Sequence, residues 1–382
     1  MACMSLTASP LVYDPTTPEF QRDMYEIYRR LRDEQPVYGG AGSYALSRFE
    51  DVWRAVNDWE TFSSVVEEAN SLLPQMIYFD PPRHTAMRAL VSRAFTPKRV
   101  AEVEGLIRST ARALIDTVAA AGGCELQHEF ASVVPSVVIA KMIGVDEEHI
   151  PQFRTWTESF LEITGPSDYQ EAASKIYGLF ASLLASRRES PRDDLMTALI
   201  EAEVDGQHLT DEELLGFCLL LILAGNDTTS SLIGSGTVLL AQNPDQRERL
   251  LADPSLWPNA IEELNRYESP TQVLPRTTTR EVSLHGVRIP EASRVMLIWG
   301  SANHDEREFP DPERLDVGRP VGRHLAFGHG IHYCLGANLA RLEARVALEE
   351  WHARFPRYSL AAEPERIVSI WARAYRRIPI AI

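Results

Sequence analysis

Residues 326–336 read AFGHGIHYCLG, with three glycines, two histidines, a phenylalanine and one cysteine in a single short run. The stretch that follows carries Leu335, Leu339, Leu342 and Val346 at helical spacing, which predicts that Cys334 sits at a helix's first turn. Unpaired backbone N–H groups and the positive end of the helix dipole favour a thiolate there. Gly328 and Gly330 allow the preceding loop a positive φ and bring its amides close to the sulfur. A lone cysteine is more often a buried, inert small side chain. Glycine loop and helix start together describe a site built to hold a sulfur anion, and a metal is the usual reason.

Composition narrows what surrounds that site. With 382 residues, 45% hydrophobic and 24% charged, the chain can bury a large core. A formal net charge of −16 argues against non-specific nucleic-acid binding, which needs a surplus of Lys and Arg facing phosphates. Cys3, Cys124, Cys218 and Cys334 are scattered without C-x-x-C spacing, so neither a disulfide framework nor a zinc ribbon is implied and a reducing cytoplasm is expected. The N-terminal residues lack a basic segment leading into an apolar one. The longest apolar stretch, residues 214–224, is too short to span a bilayer. No membrane anchor and a cytoplasmic location are therefore expected.

Most of the chain reads as helix. The clearest cases are residues 19–34, 100–121, 211–225, 256–269 and 335–355, where apolar residues recur at three-and-four spacing. Residues 277–300 change period, being β-branched and alternating, with His285-Gly286 as a tight turn. The fold class expected is mainly α with a small β region. No repeat, low-complexity tract or long linker divides the chain, so residues 1–382 are read as one domain.

Three other segments hold polar residues in unusual settings. Residues 219–234, LLLILAGNDTTSSLIG, interrupt an apolar helix with Gly225, Asn226, Asp227, Thr228 and Thr229. Polar groups in mid-core are costly unless paired or used, and a helix break capped by Asp227 or Thr228 is the plainer reading. In EELNRYESP, Glu263 and Arg266 lie three apart on one helical face, where most such pairs are exposed and worth little. In DPPRHTAMRALVSRAF, His84 and Arg88 lie four apart, and their plainer reading is a solvated basic face.

The string FGHGIHYCLG resembles the haem-binding loop of the cytochrome P-450 superfamily, and the other segments are similar to further motifs of that family in the family's order. The resemblance covers nearly the whole chain and implies the cytochrome P-450 fold, with haem between a distal helix and the cysteine loop with its proximal helix. It implies haem b with Cys334 as axial thiolate on the metal, Phe327 packed against the haem, and Gly328 and Gly336 shaping the loop. His84, Arg88, Arg276 and His332 would meet the two propionates, a task suited to bidentate arginines. Gly225 would open space for dioxygen, Ala224 would line the haem and pocket side of the distal helix, Thr228 would donate a hydrogen bond to the dioxygen, and Asp227 would relay protons. Glu263 and Arg266 would form a structural cluster completed by Arg314 or Arg319. By position in the family pattern the substrate pocket would be lined by Leu72, Leu73, Met76, Ile77, Leu220, Gln272, Val273, Leu274, Ile370 and Trp371.

The function implied is that of a soluble bacterial monooxygenase inserting one atom of dioxygen into a mainly hydrophobic small molecule. No flavin or iron–sulfur module is recognisable in the chain, so electrons are expected from a ferredoxin and its NAD(P)H-dependent reductase. Arg319, Arg323, Arg341 and Arg345 cluster in sequence around the cysteine loop and would suit an acidic ferredoxin. A peroxide-driven enzyme of the same fold would not need Asp227 and Thr228. A non-catalytic haem sensor or carrier would need neither the pair nor a reductase.

Overall fold

Helices form where the apolar spacing asks for them, and two of those that position the site start on a threonine cap, Thr17 and Thr210. The computed structural model describes residues 10–66, 75–159, 166–204 and 206–382. The helices that position the site are α1 (Pro18–Glu34), α2 (Phe49–Asn57), α3 (Arg83–Ala94), α4 (Glu104–Ala121), α5 (Val133–Ile143), α6 (Asp211–Gln242), α7 (Trp257–Tyr267) and α8 (Ala337–Arg354). At the start of α6, Thr210 accepts from the Glu213 N–H while the Glu213 carboxylate accepts from Thr210, a reciprocal cap. Residues 100–121 divide into two helices, because Val103 takes φ −87 and ψ −3 and turns its N–H to Val100.

Residues 225–229 do not end α6. Thr228 donates to the Ala224 carbonyl (2.7 Å), Ser230 and Ser231 donate to the Asp227 carbonyl (3.0 and 2.6 Å), and Ser136 of α5 donates to Asn226 Oδ1 (2.7 Å). Side-chain bonding back onto the helix satisfies hydroxyls that would otherwise favour a break. The helix therefore crosses the molecular centre intact. Among the described residues α6 is the one helix long and apolar enough to cross a membrane, and here most of it is packed inside the protein. Gly236 lets α6 approach α7 and α8, since a Cβ there would lie 3.1 Å from Leu348 and 3.3 Å from Leu264.

The β-region reaches further than its sequence signal. Strands β1 (Val37–Gly40), β2 (Ser43–Leu46), β3 (Phe62–Ser63), β4 (Val273–Thr278) and β5 (Arg294–Ile298) form one sheet in the order β1-β2-β5-β4-β3. β2 runs parallel to β5, with Ser43 opposite Arg294, and β4 runs antiparallel to β5, with Arg276 opposite Val295. The hairpin of Val282–Leu284 with Val287–Ile289 turns at His285 and Gly286, whose φ values of 50 and 78 suit a two-residue turn.

A buried charge cluster braces the cysteine loop from behind. Arg266 donates to both oxygens of Glu263 (2.7 and 2.9 Å), and neither side chain is exposed. Arg319 Nε adds a third bond to Glu263 (3.0 Å), so Arg319 completes the cluster, while Arg314 contributes its carbonyl to Arg319. Arg266 also donates to the Asn303 carbonyl, and Asn303 Oδ1 accepts from the Leu325 N–H (2.7 Å), the residue before the loop. Removing one member leaves a buried charge uncompensated. Arg266→Met is expected to cost about 3–5 kcal/mol, against less than about 0.5 kcal/mol for Arg314→Ala; equal costs in urea unfolding followed by circular dichroism would refute this assignment.

Candidate active site

The cysteine loop is shaped by its glycines and hydrogen bonds. Gly328 (φ 65) and Gly330 (φ 67) occupy the left-handed region, and a Cβ on Gly330 would lie 2.7 Å from the Val56 carbonyl of α2. Cys334 donates its backbone N–H to the Phe327 carbonyl (2.9 Å), closing the loop. α8 begins at Ala337 with Gly336 as its N-cap, so Cys334 precedes the helix rather than occupying its first turn. The Gly336 N–H still points at the sulfur. Burial pushes the thiol upward, while that N–H, Arg88 and Arg341 pull it down. Arg341 also lies over the Phe327 ring at 4.4 Å.

Cys334 opens on a cavity of about 510 Å³ bounded by α6, α8, β4 and residues 76–78. Of the groups expected to meet carboxylates, Arg88, Arg276 and His332 line it, while His84 is not in its wall but packs against His332. Both ring nitrogens of His84, which is 2% exposed, and Nε2 of His332 are buried without a partner, and the two rings lie 4.2 Å apart. Burial followed by Arg88 holds His84 down to about 4, and burial followed by Arg276 holds His332 down to about 3. Arg276 lines the same wall, is pushed down to about 10 by burial, and has one side-chain bond, to the Pro275 carbonyl. Arg88 lines the wall too and donates to the Tyr333 carbonyl (2.7 Å). Unpartnered buried donors and a buried guanidinium with no carboxylate in ion-pair range among the described residues, beside a free thiol, fit a planar dianionic haem.

Ala224, Gly225, Thr228 and Thr229 present α6 to the cavity from the opposite side. Thr228's hydroxyl hydrogen is committed to Ala224, so toward the cavity this oxygen accepts rather than donates. Asp227 is not in the cavity wall. Its carboxyl accepts from Asn226 (3.2 Å), and burial pushes it up to about 7.

The remaining pocket residues divide. Met76, Ile77, Leu220, Leu274 and Trp371 line the cavity, whereas Leu72 and Leu73 lie outside the described residues. Gln272, Val273 and Ile370 do not line it. Gln272 accepts from Tyr28 of α1 (3.1 Å), donates to the Ser269 carbonyl (2.7 Å), and presses so closely on Gly300 that a Cβ there would overlap it. Val273 packs with Phe20, Met24 and Leu31 of α1. Alternation along β4 turns Leu274 to the cavity and Val273 away from it.

The arginines around the loop are paired rather than free. Arg323 donates to Glu308, Arg341 to Glu262, and Arg345 to Glu349 and Glu104, while Arg319 holds Glu263. Residues absent from the sequence reading also line the cavity, among them Ser64, Asn265, Trp299 and Glu343. Glu343 carried a legible signal. It falls between Leu339 and Val346 on the apolar face of α8, a place for a leucine, and is 2% exposed.

A thiol facing a haem-sized cavity between two helices defines a haem-thiolate protein. The cytochrome P-450 family model matches residues 167–356. Cytochrome P-450 monooxygenase PikC of Streptomyces venezuelae is 36% identical over 384 residues, covering 95% of this chain and 91% of PikC. The structure of cytochrome P-450 CYP109Q5 from Chondromyces apiculatus has a TM-score of 0.91 and 38% identity over 97% of each chain. That of CYP109E1 from Bacillus megaterium with testosterone has a TM-score of 0.88 and 32% identity, covering 94% of this chain and 98% of that one. The chain belongs to the cytochrome P-450 family and is a haem-thiolate monooxygenase, an oxidoreductase.

Haem supplies the redox-active iron that activates dioxygen, with a thiolate ligand favouring O–O cleavage. In this chain Cys334 would hold it, and His84, Arg88, Arg276 and His332 would be the groups placed to meet its carboxylates. Cys334→His is expected to retain haem but lose the red-shifted Soret band of the ferrous–carbonyl complex, and a thiolate-type spectrum in that variant would sink the assignment.

Proposed function

We propose that this enzyme is a soluble cytoplasmic protein of one domain, and that it inserts one oxygen atom of dioxygen into a mainly hydrophobic small molecule. Terpenoid, steroid, fatty or aromatic natural products are the class meant. The observation that carries this reading is the cavity wall around Met76, Ile77, Phe217, Leu220 and Leu274, in which apolar side chains dominate. An unpaired charge on a ligand would be penalised there. The testosterone bound to CYP109E1 lends weight to an extended apolar ligand. Trp371 stands at the wall and would limit substrate length.

Electrons would reach the Cys334 face from a separate ferredoxin with its NAD(P)H-dependent reductase. Because the four nearby arginines are already paired with carboxylates, docking would depend on shape and on exchange of these pairs more than on bare positive charge. Asp227 and Thr228 favour dioxygen over a peroxide-driven route or a non-catalytic carrier. Thr228 would accept a hydrogen bond from a cavity water and hold it in place, and the buried Asp227 carboxyl, steadied by the Asn226 amide, would supply protons.

Two outcomes check the reading. Titrating steroids, terpenoids and long-chain fatty compounds against sugars and amino acids is expected to give low-to-high-spin Soret shifts with the apolar set, and Trp371→Ala to admit longer members; shifts with the hydrophilic set alone would overturn it. Thr228→Ala is expected to bind substrate normally yet lower product formed per NADPH by roughly tenfold, with the lost electrons recovered as peroxide, and unchanged coupling would contradict the role given to Thr228.

A further inference from the structure

One cation in the cavity wall has no part in the function just described. Arg294, the first residue of β5, lines the cavity and is exposed, so it stands where the cavity meets solvent. Carboxylates outnumber cations in the chain, 54 Asp and Glu against 38 Lys and Arg, and the arginines around the cysteine loop each find one. Arg294 does not. Among the described residues its guanidinium makes no hydrogen bond, ion pair or ring contact, while Tyr78 of the same wall lies within reach of its charge. The other arginines of the wall, Arg88 and Arg276, each hold a backbone carbonyl and are already placed, with His84 and His332, to meet the haem's two carboxylates.

Ser64 supplies an independent sign of a ligand in that place. It lines the same wall, is 4% exposed, and its Oγ is buried without a partner. A buried hydroxyl left unbonded is costly, so a ligand that accepts from it gains. Its backbone N–H is spent on Asp80 (3.0 Å), whose other oxygen accepts from Ser63 Oγ (2.5 Å), and the charge of Asp80 acts on Arg276. Ser63 pairs with Thr277, and Thr277 with Arg294, so one row across β3, β4 and β5 leads from the serines to the arginine. Two strand spacings, roughly 10 Å, separate their backbones, a gap that an extended arginine side chain largely covers.

We propose that Arg294 and Ser64 form a carboxylate subsite at the mouth of the cavity, and that the ligand this enzyme prefers is an apolar molecule ending in one acid group. The guanidinium offers a carboxylate paired donors, and the serine hydroxyl a third. The proposal rests on the apolar-ligand reading above and narrows it: the hydrocarbon lies against Ile77, Leu220 and Leu274, while the one charge stays at the exposed edge with a partner. No carboxylate of the wall competes for Arg294. Glu343 is the one carboxyl there among the described residues, and burial pushes it up to about 8, so it keeps its proton at neutral pH.

Matched ligands test this in the haem-loaded enzyme. Dodecanoic and lithocholic acids, each against its methyl ester, are titrated at neutral pH while the Soret band is followed. At least one acid is expected to bind roughly tenfold more tightly than its ester, with the preference shrinking as salt rises. Arg294→Met should abolish the preference by weakening the acid alone, Arg294→Lys should restore part of it, and Ser64→Ala should reduce it roughly threefold. The ferrous–carbonyl band and the rate of haem transfer to apomyoglobin should stay as in the parent. Equal binding of acid and ester by the parent, or a preference that survives Arg294→Met, would overturn the proposal. So would faster haem transfer from Arg294→Met with the preference intact, which would give Arg294 to a haem carboxylate. A parent that responds to neither acids nor esters would sink the apolar-ligand reading itself, and the subsite with it. Should Arg294→Met fail to retain haem, Ser64→Ala decides by the same comparison.

Discussion

A carboxylate with no access to water, Glu263, is the constraint on which the rest depends. Two arginines reach it from different parts of the chain, one on its own helix and one 56 residues further on. Taking Glu263 and Arg266 fully out of solvent, with Arg319 partly so, is costly, and the cost is offset only when every hydrogen bond is made in good geometry. That requirement fixes α7 against residues 303–319, and through Asn303 it fixes where the cysteine loop begins. The sulfur is held in register by a charge cluster it never touches.

Legibility in the sequence follows how locally each feature is encoded. Cys334, Gly328 and Gly330 lie within seven positions of one another, and the acid–alcohol pair of α6 is consecutive, so both could be read directly. Glu263 and Arg266 were legible as a pair, but the choice between Arg319 and Arg314 depended on how a loop folds back. Gln272 and Val273 show the opposite case. Their distance from the active-site motifs in sequence is short, yet which face of a strand they occupy depends on where β4 begins, and that was set by pairing with β5 rather than by composition. The parallel pairing of β2 with β5 joins segments some 250 residues apart and has no local signal.

Charge was the least transferable reading. A run of arginines looks like a basic patch in one dimension, but Glu50, Glu104 and Glu262 come from far along the chain to meet them, and Glu308 from a nearer loop. These arginines are thereby balanced charge by charge rather than left as a bare basic patch.

The contact between Gln272 and Tyr28 carries a consequence for ligand traffic. Gln272 holds the Trp371 carbonyl by its backbone N–H (2.8 Å) while its side chain is gripped by α1. The segment bearing Trp371 is therefore tied to the N-terminal helix through Gln272 as well as to the end of α7 through Arg373, which donates to the Pro270 carbonyl and to Glu268 (2.8 Å each). A substitution at Tyr28 would therefore be transmitted through Gln272 to the stretch of cavity wall that Trp371 forms, with the bonds of Arg373 to α7 left in place.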